Sequence, residues 1–202
     1  MIVHDHVQLS PEWCAARCGV PSASNFDKII TTKGEPSKQR QKYLWQLAGE
    51  KILGVPEETY TNAAMQRGQE LEDEARKLYQ LIKDEIVMSV GFCTDNGYGA
   101  SPDGLIGQNG GLEIKCPTLA THIGYLMDGG LPMEYFQQVQ GNLLVTGREW
   151  WDFMSYYPNL DPLIIRVERD KKFLTLLRVE LDKFKKELDE TIEKLKGQHE
   201  IL

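Results

Sequence analysis

The sequence predicts an α/β (α+β) domain with a mixed central β-sheet flanked by helices. Three observations predict it. Residues 10 to 82 carry helix caps and helical apolar spacing; from Glu85 the texture changes to short β-branched and apolar runs; and helical patterns then return between and after further strands. At 202 residues and 23.0 kDa, with 41% apolar and 26% charged residues, the chain is long enough to bury a sizeable core. No internal repeat, low-complexity tract or linker divides it, so residues 1–202 read as one domain.

In order, Ser10-Pro11-Glu12 is a helix start, with Ser as cap and Pro at the first helical position, and Gly19 is placed to stop the short helix. A second short helix opens at Ser22 or Ser24. From Ser37 to Leu53, Tyr43, Leu44, Leu47, Ala48 and Ile52 recur at helical spacing before Gly54 and Pro56. Ala63 to Ile82 is a further helix, with Leu71, Ala75, Leu78 and Ile82 as its buried stripe. Strands are expected over Glu85–Thr94, Tyr98–Ile106 and Gly111–Cys116, the last two joined by a hairpin turning at Asn109-Gly110. After Pro117 the pattern is helical again, most clearly from Met133 to Val145. Trp150–Tyr157 and Leu163–Glu168 read as strands, and a charged amphipathic helix covers Lys171 to Lys196.

Several classes are excluded. No apolar stretch approaches the roughly 20 residues that a spanning helix needs, and the start MIVHDHVQLSPEW lacks the form of a signal peptide, so a cytoplasmic protein with no membrane association is expected. Cys14, Cys18, Cys93 and Cys116 lack Cys-x-x-Cys spacing and read as reduced thiols. A zinc site of His4, His6, Cys14 and Cys18 is the alternative, without the tight pairs that structural zinc favours. A net charge of −7 argues against binding a polyanion through bulk charge.

The chemistry concentrates in Ser101 to Pro117. Strand alternation places Glu113 and Lys115 on one face and Leu112, Ile114 and Cys116 on the other. Across the hairpin, Asp103 falls within a few residues of Lys115, so two carboxylates and an amine converge. Mg²⁺ suits such a set: a few oxygens from Asp103, Glu113 and a backbone carbonyl such as that of Ile114, with water and substrate phosphate completing the shell. Two ions would clamp the attacking and leaving oxygens. Lys115 would orient or deprotonate the attacking water, its pKa lowered by the neighbouring cations. Glu-x-Lys on its own is more often a solvated strand edge; Pro102-Asp103-Gly104 ten residues upstream, across a Gly-rich hairpin, strengthens the hydrolytic reading.

Pro102-Asp103 followed by Glu113-Ile114-Lys115 matches the catalytic motif of the restriction-endonuclease-like PD-(D/E)xK nucleases. Ser101-Pro-Asp-Gly-Leu105 together with Leu112-Glu-Ile-Lys-Cys-Pro117 more closely resembles the phage lambda exonuclease and YqaJ viral recombinase family, the alkaline exonucleases, over Trp13 through Arg169. The resemblance implies a restriction-endonuclease-like core in a compact phage or prophage enzyme. It implies an Mg²⁺-dependent 5′ to 3′ exonuclease on duplex DNA, with Mn²⁺ able to substitute, that releases mononucleotides and leaves a 3′ single strand for a single-strand annealing protein. A ring-shaped homotrimer is implied as well. Residue by residue, Asp103, Glu113 and the Ile114 carbonyl look like the metal ligands, and Lys115 like the lysine that assists the water. Glu72 corresponds to the acid beside the second metal and Gln138 to a helical glutamine lining the site. Arg17, Ser24 and Ser101 look like the pocket for the DNA 5′-phosphate, and Met65 sits where the family carries a wedge for the duplex end.

The residues leave blander readings open: Glu72 lies among Glu70, Asp73 and Glu74 on a charged helix, Gln138 has glutamine neighbours, Ser24 suits an N-cap, and Met65 suits a core. Arg17 is better motivated, because a guanidinium grips a terminal phosphate bidentately. From Lys28 to Lys51 six bases (Lys28, Lys33, Lys38, Arg40, Lys42, Lys51) face two acids (Glu35, Glu50), which marks the surface expected to track phosphates. Basic residues are therefore expected along the DNA route, with acidic ones facing away. The C-terminal stretch reads as an ion-paired solvated helix or a subunit contact. An endonuclease or junction resolvase of the same superfamily, and a non-catalytic DNA-end binding module, are the alternatives.

Overall fold

The computed structural model describes residues 1–8, 10–57 and 63–199, the side chains of 63–66 and 198–199 excepted. Among the described residues six α-helices and eight strands follow one another as β1 (Ile2–His4), α1 (Pro11–Arg17), α2 (Arg40–Leu53), α3 (Ala63–Lys83), β2 (Val87–Met88), β3 (Phe92–Asp95), β4 (Tyr98–Ala100), β5 (Gly104–Ile106), β6 (Gly110–Lys115), α4 (Leu119–Asp128), α5 (Phe136–Thr146), β7 (Trp150–Ser155), β8 (Leu163–Glu168) and α6 (Lys171–His199). Short 3₁₀ turns cover Ala23–Lys28 and Met133–Tyr135. The helix starts obey the capping chemistry: Ser10 accepts from the Trp13 N–H at 3.2 Å ahead of Pro11, and Thr118 from the Thr121 N–H at 3.4 Å.

The expected mixed sheet has five strands in the order β2-β5-β6-β7-β8, with β6 parallel to β7 and the other pairs antiparallel. A second, three-stranded sheet, β1-β3-β4, stands beside it. Two of the expected strands are therefore each cut in two. Glu85–Thr94 breaks at Ser89-Val90-Gly91, because β1 pairs with β3, and a side chain at Gly91 would meet the His6 carbonyl oxygen at 2.0 Å. Tyr98–Ile106 breaks at Ser101-Pro102-Asp103, where the chain passes from one sheet to the other. The hairpin loop is Gly107-Gln108-Asn109 rather than a turn at Asn109-Gly110: Gly110 already pairs with Ile106, and the Asn109 carbonyl is held by the Glu149 and Trp150 N–H groups at 2.9 and 3.2 Å.

The largest core cluster seals α2 against α6 through Tyr43, Leu44 and Leu47 on one helix and Leu177, Leu181 and Phe184 on the other. Burial of each such side chain contributes roughly 1.5–3 kcal/mol. Thus α6 is not a wholly solvated helix: Lys185–Asp189 at 2.5 Å lies toward solvent, but Lys183 reaches at 2.7 Å to Glu180, which is itself buried. Leu112 and Ile114 pack with Tyr79 and Met154 beneath the sheet, as the alternation of β6 requires. Gly141 brings α5 against the 3₁₀ turn, since a Cβ there would stand 2.5 Å from the Phe26 ring.

Candidate active site

β6 and α5 build the centre of the site. Glu113 is buried, 1% exposed, and its two oxygens are shared among three donors. Lys115 Nζ and Gln138 Nε2 both donate to Oε1 at 2.5 Å, and Asn142 Nδ2 donates to Oε2 at 3.0 Å. Glu113 and Lys115 are two residues apart on one strand face, and Gln138 and Asn142 four apart on one helix face, so each pair arrives from a single regular element. The Lys115 ammonium lies 5.2 Å over the Tyr135 ring.

Asp103 stands one residue before β5, level with the Glu113 end of β6, and its Oδ2 accepts the Ile114 N–H at 2.6 Å. A strand residue's N–H and C=O leave on the same edge, so the Ile114 carbonyl faces Asp103 as well. From α3, Arg76 donates to the Asp103 carbonyl at 3.2 Å and to Asp73 at 2.7 Å, and pairs with Glu72 one turn earlier. A cavity of about 410 Å³ lies against this acidic side, with Glu72, Asp73 and Asp103 on one wall and Asp5, His6 and Gln8 on the other.

Burial, then the Glu113 charge, holds the Asp103 carboxyl well above the ordinary range. Burial also raises Glu72, with Arg76 opposing the shift and Glu113 adding to it. Burial works against the Lys115 charge, but Glu113 and Asp103 outweigh it and hold the ammonium above its usual value. The lowered lysine pKa is an expectation for the site with cations bound; among the protein groups alone, the carboxylates dominate. Three acids thus face two cations, and the excess negative charge fits a hard divalent ion. Among the described residues no three His, Cys, Asp or Glu side chains close on one point as a ready-made ligand set. Asp103, Glu113 and the Ile114 carbonyl instead form the sparse oxygen set that suits an ion keeping several waters.

Across the Ser101-Pro102-Asp103 bend lies a cationic socket. Arg17, at the end of α1, donates to Ser101 Oγ at 2.9 Å and to Ser22 Oγ at 3.1 Å, and its guanidinium lies 4.3 Å over the Trp13 ring. Ser24 Oγ reaches this group only through Ser22 Oγ, 3.3 Å away. Burial lowers the Arg17 pKa, and among the described residues no carboxylate pairs with it. A cavity of about 390 Å³ opens beside it, lined by Trp13, Ser22, Asn25 and Tyr43.

Glu72, Asp103, Glu113, Ile114, Lys115 and Gln138 are therefore brought together, and Arg17 meets Ser101 directly. Met65 belongs to α3, but its side chain lies outside the described residues. Sequence reasoning missed Asn142, Arg76 and Ser22. Asn142 follows Gln138 by one helical turn, and Arg76 follows Glu72 likewise, so helical spacing was the available signal; Ser22 had none, being in an irregular segment. Within the basic segment, Arg40 is taken up by Glu187 and the Phe184 ring, whereas Lys33, Lys38, Lys42 and Lys51 are exposed. Two of the four residues of the zinc alternative are engaged elsewhere: His4 Nε2 lies 3.1 Å from Thr94 Oγ1, and Cys18 donates to the Glu50 carbonyl at 3.2 Å.

Residues 12–149 match the YqaJ-like viral recombinase domain. Among solved structures, the chain is 39% identical to the alkaline exonuclease LHK-Exo from Laribacter hongkongensis and 38% identical to LHK-Exo in complex with dAMP. Each comparison gives a TM-score of 0.85 and covers 94% of this chain and 98% of the other. A phage-related exonuclease from Haemophilus somnus 129PT shares the fold at 14% identity, with a TM-score of 0.69 over 87% of this chain and 96% of its own. No curated protein matches.

Proposed function

From the premise that this chain belongs to the YqaJ-like viral recombinase family and is a nuclease of phage-type recombination, we propose that it is a metal-dependent 5′ to 3′ exonuclease on duplex DNA, releasing mononucleotides and leaving 3′ single strands. One observation carries the reading. Ser101, which holds Arg17, and Asp103, which faces Glu113, are separated by a single residue, at most about 7 Å along the chain. A terminal phosphate held at Arg17 would thus set the next phosphodiester against the carboxylates, and each cleavage would free one nucleotide. The dAMP bound by LHK-Exo is of that product class.

In this reading Arg17, with Ser22, Ser24 and Ser101, holds the 5′-phosphate by charge-assisted hydrogen bonds. Asp103, Glu113 and the Ile114 carbonyl hold Mg²⁺, for which Mn²⁺ can substitute, with Glu72 toward a second ion. When bound, the ions polarise the scissile phosphate and make water a better nucleophile. Gln138 and Asn142 fix the Glu113 carboxylate. Lys115 orients or deprotonates the attacking water and, as an ammonium, offsets the charge that develops on the phosphoryl group. The 3′ strand passes to a single-strand annealing protein, and three copies of the chain form a ring around the DNA.

The test is release of mononucleotides from linear duplex bearing or lacking a 5′-phosphate, in Mg²⁺, by wild type, Lys115→Ala and Asp103→Ala. Release by wild type alone, strongest with the 5′-phosphate, is expected. Cleavage of closed circles would instead identify an endonuclease, and DNA binding without release a non-catalytic end-binding module.

A further inference from the structure

On the far side of α5 from Glu113 lies a groove of about 410 Å³ that the active site does not use. Arg169, Lys171, Thr175, Arg178 and Asp182 line it over a floor of Leu144 and Leu174. Asn142 and Leu144 are two residues apart, about 200° around the helix, so α5 presents one face to the carboxylates and the other to this groove. Three cations meet one acid, and that acid is occupied by the Tyr98 hydroxyl. Among the described residues neither Lys171 nor Arg178 has a carboxylate within ion-pair distance. Arg169 is fixed to the Leu143 and Arg148 carbonyls at 2.7 and 2.8 Å, and burial, with Arg178 adding, opposes its charge. Like charges held together without a counter-ion cost free energy that a bound anion would return.

The α6 N-terminus contributes little, since the Asp170 carboxylate already caps it through the Phe173 N–H at 2.9 Å. The attraction therefore resides in the side chains. The basic segment reaches the same helix on another flank: Gly34, beside Lys33, packs against Leu176, one turn after Lys172 and about 200° around the helix from Arg178. Three cations thus gather on one flank of α6, in a protein of net charge −7.

We infer that this groove is a second binding site for the phosphate backbone of nucleic acid, holding DNA away from the end fixed at Arg17. The inference deepens the nuclease reading and rests on it for the identity of the polyanion. A nucleic-acid backbone is favoured over an acidic protein segment because the chain belongs to a nuclease family, whose substrate is a polyanion, and because the groove's cations stand without a carboxylate partner.

The test is fluorescence-anisotropy binding of 5′-phosphorylated duplex and of single-stranded oligonucleotide, in EDTA to stop hydrolysis, over a salt series, with wild type, Lys171→Gln/Arg178→Gln and Arg178→Lys. Loss of two phosphate contacts should flatten the slope of log affinity against log salt by about 1.8 on duplex or about 1.4 on single strand, and Arg178→Lys should keep the wild-type slope. Both side chains are exposed, and equal melting temperatures would establish that the variants are folded. An unchanged slope in the double variant overturns the inference. So does displacement of the oligonucleotide by inorganic phosphate at equal phosphate concentration, which would mark an isolated anion site. Binding of polyglutamate that depends on Lys171 and Arg178, with no change in DNA slope, would also overturn it in favour of a protein partner. If wild type released no nucleotides the nuclease reading would fall, while the slopes would still decide the groove.

Discussion

In the carboxylate cluster every charged side chain faces a group of opposite charge or a strong donor, whereas a few residues away Arg17 is held by hydroxyls and aromatic rings, with Glu50 on the wall of the cavity beside it. The difference follows from what each place would hold. Glu113 keeps its geometry through Lys115, Gln138 and Asn142, so its carboxylate is preorganised before any cation arrives. Arg17 keeps its orientation through neutral acceptors, which leave its charge uncancelled for an anion. A single bend, Ser101-Pro102-Asp103, supplies one side chain to each region. The lesson is that a negative site and a positive one, set one residue apart, register a charged polymer end without reading its bases.

The strongest challenge to this contrast is to remove one charge from each side. Lys115→Ala should lower kcat by about 100- to 10,000-fold with little change in KM for DNA, because the ammonium acts on charge that develops during the reaction. Single-turnover kinetics on 5′-phosphorylated duplex checks it, and equal losses on phosphorylated and hydroxyl ends are expected. Arg17→Ala should do the reverse. It should cost about 10- to 100-fold on phosphorylated ends, the worth of a charged hydrogen-bonding group, and leave hydroxyl ends almost unaffected. The ratio of the two rates is the readout, and a preserved preference would remove the socket assignment.

Legibility from sequence divides along the same line. Glu113 and Lys115 were readable because strand alternation fixes their face, and Leu112 and Ile114 confirm it by their burial in the core. Asp103 was placed only within a few residues of Lys115 and stands level with Glu113, because the hairpin loop is Gly107-Gln108-Asn109 and shifts the expected register. The socket was less legible. Arg17 and Ser101 meet across 84 residues through the break in an expected strand, and no local pattern encodes that break. The break exists because β1, a three-residue N-terminal strand with no turn signal before it, adds to β3 and diverts the chain into a second sheet. The helical pattern expected after Pro117 includes α4, whose Leu119, Ile123 and Met127 share one face at a spacing of four; that face is exposed, and within α4 it is His122 that is buried, against Ser155 at 2.7 Å.

A smaller effect sharpens the account of the cluster. Asn142→Ala removes the one donor to Glu113 Oε2 while sparing Lys115 and Gln138 on Oε1. A drop in kcat of about tenfold is expected, in line with a hydrogen bond to a charged group, together with a higher Mg²⁺ concentration for half-activation. An unchanged Mg²⁺ requirement would show that Oε2 needs no anchor.

The smallest predicted effect tests the socket most finely. Family resemblance points to Ser24, yet Ser22 is the serine that accepts from Arg17, with Ser24 behind it and more exposed. Ser22→Ala should reduce the preference for phosphorylated ends by about 2- to 10-fold, the net worth of one hydrogen bond that orients the guanidinium. The methyl left behind fits the space, and the Trp13 and Phe92 rings still stack on Arg17, so the socket is loosened rather than lost. Ser24→Ala should match or exceed that loss only if its hydroxyl binds the phosphate itself. Comparing the two preference ratios therefore separates a serine that aims the arginine from one that touches the DNA.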